Sequence, residues 1–215
     1  FPIRLATTSY IFPDQIAPNV VKLAPFLDEI ELVLFESEGE NNLPEEDQMK
    51  VLRDVSLHEE MSYNVHLPID IFLGDQNEEV RSKGVSVVKK MIDHTLCLNP
   101  SVYTLHFDLR NNNARDGREI GTWRRLIVRS VKEILECGIH PRRISVETLG
   151  YPFEWIEDIV KKFDFSICLD IGHILIQGHD LNAYFERYLP DTSIIHLHGF
   201  QNGTDHLGID RLPEP

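Results

Sequence analysis

The alternation of apolar and polar positions resolves the chain into short β-branched and aliphatic runs separated by longer stretches of helical period. The strand-like runs fall at residues 3–9, 30–35, 63–67, 102–107, 144–148, 165–171 and 193–198. Helical patterns lie between them at 20–27, 44–60, 78–96, 122–137, 153–162 and 181–188, and Pro100, Pro141 and Pro190 punctuate the passage from helix to strand. Strict strand–helix alternation predicts parallel strands joined by helical crossovers. The first strand runs into Thr7-Thr8-Ser9-Tyr10 with no Gly-rich turn, which disfavours an open dinucleotide-binding sheet and favours an α/β (β/α)8 TIM barrel. Seven strands are visible where such a barrel closes with eight. The expectation is therefore one TIM-barrel domain over residues 1–215, incomplete at the C-terminus, with the eighth βα unit missing from this chain.

Composition and charge narrow the function classes. With 42% hydrophobic and 26% charged residues, the 215-residue chain has the balance of a globular protein. Its 21 Lys and Arg stand against 35 Asp and Glu, a net charge of −14, which argues against general binding of duplex nucleic acid. No run approaches the roughly 18 apolar residues of a membrane span, so no membrane partner is expected. Cys97, Cys137 and Cys168 are odd in number and form no Cys-x-x-Cys, which suggests a reducing, cytoplasmic location.

The chemistry concentrates where strands end. The third strand ends in Val65-His66-Leu67, the fourth in Leu105-His106-Phe107, the fifth in Val146-Glu147, the sixth in Leu169-Asp170-Ile171 and the seventh in Ile195-His196-Leu197-His198. Strand side chains alternate between faces, so the apolar neighbours are expected to meet the helices and the ionisable residues to meet the barrel axis. Asn64, Thr104, Ser145, Cys168 and Ile194, two residues earlier, form a mostly small or polar layer beneath them. Converging ionisable groups inside a barrel need compensation, and a metal ion supplies it. Asp170-Ile-Gly-His173 adds His173 from the turn after the sixth strand, and Thr204-Asp205-His206 adds a further pair from a Gly-containing loop. Nitrogen and oxygen donors without thiolate suit divalent ions, zinc first with manganese or iron compatible, and so many ligands allow up to three sites. Multi-metal sites suit phosphate-ester hydrolysis. His196 and His198 share one parity, so spacing does not choose between them. Thr8, Ser9 and Tyr10 at the barrel mouth, Glu36 at the end of the second strand, and Tyr151 beyond Glu147 are candidates for substrate contact.

With these ligands in place, the chain resembles the endonuclease IV / xylose-isomerase-like barrels, and within them the cobamide-remodelling phosphodiesterase family. The matching segments include Arg4-Leu-Ala-Thr-Thr-Ser-Tyr10, Glu29-Ile-Glu-Leu-Val-Leu-Phe-Glu36, Val65-His-Leu-Pro68, Tyr151-Pro-Phe-Glu154, Cys168-Leu-Asp-Ile-Gly-His173 and Ile194-Ile-His-Leu-His-Gly199. The resemblance implies hydrolysis of the nucleotide-loop phosphodiester of a cobamide, a B12-type small molecule. It would place His66, His106 and Glu147 on one ion, Glu147, Asp170 and His196 on a second, and His173, Asp205 and His206 on a third. Catalytic roles would fall to Glu147 and Asp170, with His198 left to touch phosphate. Two departures stand out: Asp205 and His206 are adjacent where the endonuclease pattern has Asp-x-His, and the family's final Glu has no counterpart before Pro215. The alternative on the same barrel is a sugar isomerase or epimerase holding one Mn²⁺ through Glu147, Asp170, His196 and the missing final Glu, with two carboxylates moving a proton beside a carbonyl. Its single metal leaves His66, His106, His173 and the Asp205-His206 pair without a task, so phosphodiester cleavage is the leading expectation, and an abasic-site endonuclease is disfavoured by charge.

Overall fold

The apolar runs become seven parallel strands laid side by side in chain order in a computed structural model that describes residues 3–35, 42–109 and 117–212. β1 (Ala6–Thr8) leads to α1 (Ile16–Leu23), β2 (Glu29–Val33) to α2 (Glu46–His58), and β3 (Ser62–His66) to α3 (Glu78–Thr95). β4 (Tyr103–Leu105) leads to α4 (Gly117–Leu135) and β5 (Ile144–Glu147) to α5 (Glu157–Phe163). β6 (Ser166–Asp170) leads to α6 (Ile171–Ile176) and α7 (Leu181–Tyr188), and β7 (Thr192–His196) ends the series. Seven strands in sequential order with seven helices are the architecture of an incomplete (β/α)8 barrel. Among the described residues no parallel strand bridges β1 and β7, so the wall is open there.

The outward strand faces carry the core. Ile30, Leu32, Tyr63, Val65, Tyr103, Leu105, Ile144 and Val146 are all at most 1% exposed and pack beneath the helices. Tyr63 buries its ring and donates its hydroxyl to the Leu52 carbonyl of α2 at 2.8 Å, which satisfies the polar tip. The helix starts follow capping chemistry: the Asn77 side chain accepts the Glu79 amide before α3, and Asp180 accepts the Asn182 amide before α7. α1 starts at Ile16, ahead of the predicted 20–27, because Pro18 lies in the first turn, where its missing N–H leaves no ladder bond unmade.

Two further elements depart from the sequence reading. Ile171, read as the last residue of a strand, opens the short helix α6, and the Asp170 carboxylate accepts the His173 amide at 2.7 Å as its cap. The expected loop after the seventh strand is an antiparallel hairpin of β8 (Gly199–Gln201) and β9 (Thr204–Leu207). Its turn places Asn202 at φ 53° and Gly203 at φ 78°, the paired positive angles of a tight hairpin turn, and Asn-Gly is the dipeptide that best tolerates them.

Candidate metal centre

Strand register decides which side chains meet. Glu31 pairs with Asn64 and Val33 with His66 across β2 and β3, while Asp170 pairs with His196 across β6 and β7. The side chains of His66, Glu147, Asp170 and His196 therefore project from the carboxyl ends of their strands into the barrel interior. There they line an open cavity of about 2480 Å³ that runs on into the gap between β1 and β7 past Leu5 and Ile195.

Glu147 is the hub. Its Oε2 lies 2.8 Å from His106 Nε2 and 3.2 Å from His66 Nε2, and its Oε1 lies 3.4 Å from His196 Nδ1. It is 2% exposed. Burial alone would raise its pKa, but the charges and hydrogen bonds of His106 and His196 outweigh burial and hold the carboxyl well below the usual range. The partner shifts run the other way. Burial would lower His106, but Glu147 and Asp108 raise it to about 10. His196 is likewise held well above the ordinary histidine value, burial being outweighed by the Glu31 and Glu147 carboxylates and a hydrogen bond with the Cys168 thiol.

Asp170 is the second focus. His198 Nε2 lies 3.0 Å from its Oδ1, and His173 Nδ1 and His196 Nδ1 lie 3.7 and 3.8 Å from its Oδ2. His198 fits because residue 172 is glycine: a Cβ there would fall 2.1 Å from the imidazole Cε1. The His206 amide donates to His198 Nδ1 at 3.0 Å, which ties the hairpin to the site.

Two groups of donors each lie mutually within 4.8 Å: His66, Glu147 and His196 in one, and Asp170, His173, His198 and His206 in the other. The donors are those a divalent ion takes, imidazole nitrogen and carboxylate oxygen. Three of the histidines are already oriented for the task. His66 donates Nδ1–H to the Leu67 carbonyl at 2.9 Å, His173 donates to the Thr148 carbonyl at 3.0 Å, and His106 Nδ1 faces Asp108 at 3.2 Å, leaving each Nε2 for the site. Cys168 lies at the floor, fully buried, and burial pushes its thiol up, so it stays a neutral neighbour. Beside it Asn64 Oδ1, Thr104 Oγ1 and Ser145 Oγ are buried without a protein partner, the polar layer expected beneath a charged site.

The sequence-predicted residues are distributed as follows. His66, His106, Glu147, Asp170, His173, His196 and His198 converge, with His196 nearer Glu147 and His198 on Asp170. His206 joins the Asp170 group from β9, and both it and Asp205 sit at the rim, their side chains 66% and 46% exposed. Asp205 lies 3.7 Å from His173 Nε2 and 3.1 Å from His206 Nδ1, so His173, Asp205 and His206 come together at the rim, and His206 also reaches the Asp170 and His198 donors. Tyr10 lines the cavity edge-on to Phe35 at 4.6 Å. Tyr151 also lines it, but its ring stacks on Trp155 and its hydroxyl donates to the Phe107 carbonyl at 3.0 Å. Ser9 is buried, its Oγ accepting the Val33 amide at 3.1 Å, so it braces β2 instead of facing the mouth. Glu36 lies outside the described residues. Two carboxylates escaped the sequence reading. Asp108 holds His106, and Glu31 lies 3.0 Å from His196 Nε2. The alternation Glu29-Ile30-Glu31-Leu32 carried the signal for Glu31, since apolar residues on one parity leave the glutamates on the other.

Comparison with known proteins bears on what such a site does. Residues 27–212 match the family described as xylose isomerase-like TIM barrel. The fold is similar to that of a D-tagatose 3-epimerase-like protein, with a TM-score of 0.74 and 21% identity over 95% of this chain and 79% of that one. It is also similar to D-psicose 3-epimerase from Clostridium cellulolyticum, at TM-score 0.71 and 11% identity over 92% and 73% of the two chains. Endonuclease IV from Thermus thermophilus follows the same course at TM-score 0.68 and 14% identity, covering 94% and 79%. No curated protein sequence matches the chain.

These findings correct the expected activity. The family match reaches the broad barrel and no cobamide phosphodiesterase, and D-tagatose, D-psicose, L-ribulose and D-allulose epimerase folds recur among the similar structures. The hydrolase class, the phosphodiester reaction and the cobamide partner are therefore set aside. The physical reason is that histidines and carboxylates at strand ends are what this barrel needs to hold metal whatever its reaction. They identify the scaffold and leave the bond to be broken open.

Proposed function

The chain belongs to the xylose isomerase-like TIM-barrel family, and on that premise we propose that it is a divalent-metal-dependent epimerase or isomerase of a small sugar or sugar phosphate. The observation that carries the reading is the pair of buried carboxylates, Glu147 and Asp170, each ringed by histidines at the floor of an open cavity. His66, Glu147 and His196 would hold one ion, and Asp170, His173, His198 and His206 offer a second set of donors. Zinc, manganese and iron suit this nitrogen and oxygen chemistry, and the bound ion would polarise the carbonyl and hydroxyl oxygens of the sugar. Glu147 and Asp170 are the groups to take a proton from the carbon beside that carbonyl and to return it. His106, held by Asp108, keeps Glu147 ionised. Tyr10 and Phe35 supply an apolar wall for the sugar ring's C–H face.

Reading residues 1–215 as one domain is supported by the continuous core beneath the strands. A cytoplasmic setting fits three free cysteines, and among the described residues no helix is long and apolar enough to cross a membrane. The test is incubation of the chain with Mn²⁺ or Zn²⁺ and a panel of ketopentoses, ketohexoses and their phosphates in D₂O. Deuterium entering carbon-bound positions next to the carbonyl, abolished by chelator, is the expected result. Metal-loaded protein that exchanges no sugar on the panel would overturn the reading.

A further inference from the structure

Glu31 is a carboxylate inside the barrel that the proposed chemistry does not use. It projects inward from β2 between Ile30 and Leu32, which face the helices, and its backbone is locked in the sheet because its carbonyl accepts the Ser9 amide at 2.8 Å. Its side chain is 13% exposed. An ionised carboxylate in such a place is unfavourable unless it is paired, and its partner is His196 Nε2, 3.0 Å from Oε1. Glu29, one step down the same face, is different: it accepts from Ser62 Oγ at 2.8 Å and touches no histidine among its described partners.

The contact sets His196 apart from the other histidines of the centre. His66, His106 and His173 are each held outward by Nδ1, on the Leu67 carbonyl, the Asp108 carboxylate and the Thr148 carbonyl, and present Nε2. In His196 the roles are exchanged. Nε2 is engaged by Glu31, and Nδ1 faces Glu147 Oε1 at 3.4 Å and Asp170 Oδ2 at 3.8 Å. In a neutral imidazole one nitrogen carries the proton and the other the lone pair, and the hydrogen bond made by one fixes the other.

We propose that Glu31 is a positioning residue that holds the Nε2–H form of His196, so that His196 alone among these four binds metal through Nδ1. This rests on the metal-centre part of the proposed function and on no feature of the sugar reaction. Removing the acceptor lets the ring protonate at Nδ1 or turn, and the lone pair then points away from Glu147. Loss of an outer partner of this kind weakens metal binding by about 10–100-fold.

The experiment uses the full chain, ¹⁵N-labelled on histidine and loaded with zinc, with imidazole tautomers read from long-range ¹H–¹⁵N correlations. Zinc affinity is measured by competition with a fluorescent chelator. The expected spectrum shows His196 protonated at Nε2 with the metal on Nδ1, and His66 and His173 the reverse. Glu31→Ala is expected to scramble the His196 pattern and to weaken zinc by about 10–100-fold. Glu31→Gln keeps an acceptor and therefore the tautomer, with a smaller loss of affinity, and Glu29→Gln leaves both readouts unchanged. Zinc bound with His196 ligating through Nε2 in the unsubstituted chain overturns the proposal, and that spectrum decides the matter even if Glu31→Ala does not fold. Unchanged affinity in a folded Glu31→Ala variant overturns it equally. A chain that binds no zinc overturns the metal centre and this proposal together. A chain that binds zinc through His196 Nδ1 but exchanges no sugar sinks only the epimerase reading.

Discussion

Glu147 shows how far one side chain organises this centre. It is buried, ionised, and within 3.4 Å of three imidazoles, so its charge is the counterweight to His66, His106 and His196. Glu147→Gln keeps the volume and removes the charge. Zinc affinity is expected to fall by at least about tenfold and sugar exchange to vanish, while circular dichroism stays that of a folded barrel. Retained exchange in that variant would remove Glu147 from the mechanism. The same pairing sets a pH dependence in metal-free protein. His106 rises to about 10 in the folded state against an ordinary value of about 6.5, so its stabilising contribution is complete below pH 6.5 and is lost as pH rises towards 10. Glu147 and Glu31 are lowered, so their contributions are present above the ordinary glutamate value of about 4.5 and fade in acid. Chelator-treated protein should therefore melt at a higher temperature near pH 6 than near pH 9.5, and Glu147→Gln should flatten that difference. An equal slope in both proteins would show that other groups set the pH dependence.

At the scale of elements, the strand ends were the legible part. Periodicity alone placed His66, His106, Glu147, Asp170 and His196 on successive strands with apolar neighbours turned outward, and register then brought them together. What escaped was local. Asp170 acts twice, as a site carboxylate and as the cap of α6, and the helix is too short at six residues to show a period. The hairpin was signalled by Asn202-Gly203, but three- and four-residue strands offer no alternation to confirm it. Glu31 sits in the middle of its strand, where strand termini give no hint of it. Its hydrogen bond to His196 Nε2 is what brings it to the end of β7. The double role of Asp170 gives a prediction. Asp170→Asn keeps the cap acceptor and should lose metal but little stability, whereas Asp170→Ala should unfold about 1 kcal/mol more easily still. Equal melting of the two variants would deny the cap its role. Gly172 tests the neighbouring contact. Gly172→Ala should push the His198 ring aside, destabilise the protein by about 1–3 kcal/mol, and weaken binding at the Asp170 group while sparing the Glu147 group. Zinc stoichiometry by competition reads the difference, and two unaltered binding steps would contradict it.

Across the whole molecule, stability should grade from the open side of the wall inward. β5 and β6 are buried at every position, whereas β7 alternates between half-buried and exposed, with Ile195 43% exposed. On the far lip Leu5 precedes β1 at 64% exposed. A strand with a sheet neighbour on one side only has half the ladder to hold it and presents unpaired backbone groups to water or to another chain. Local opening follows such differences in burial, and amide exchange reports them as free energies of opening. In hydrogen exchange of dilute protein, β1 and β7 are expected to exchange at least about tenfold faster than β4, β5 and β6, all three buried throughout, with β2 and β3 between. The net charge of −14 opposes edge-to-edge pairing of copies at low salt, so the gradient should hold over a range of protein concentrations. Protection of β1 and β7 equal to that of β5 at every concentration would mean that the gap is closed in solution within one chain. Protection that rises with concentration would mean that a second copy closes it. Either outcome would place Leu5 and Ile195 in an interface and shrink the cavity to the end lined by the histidine and carboxylate donors.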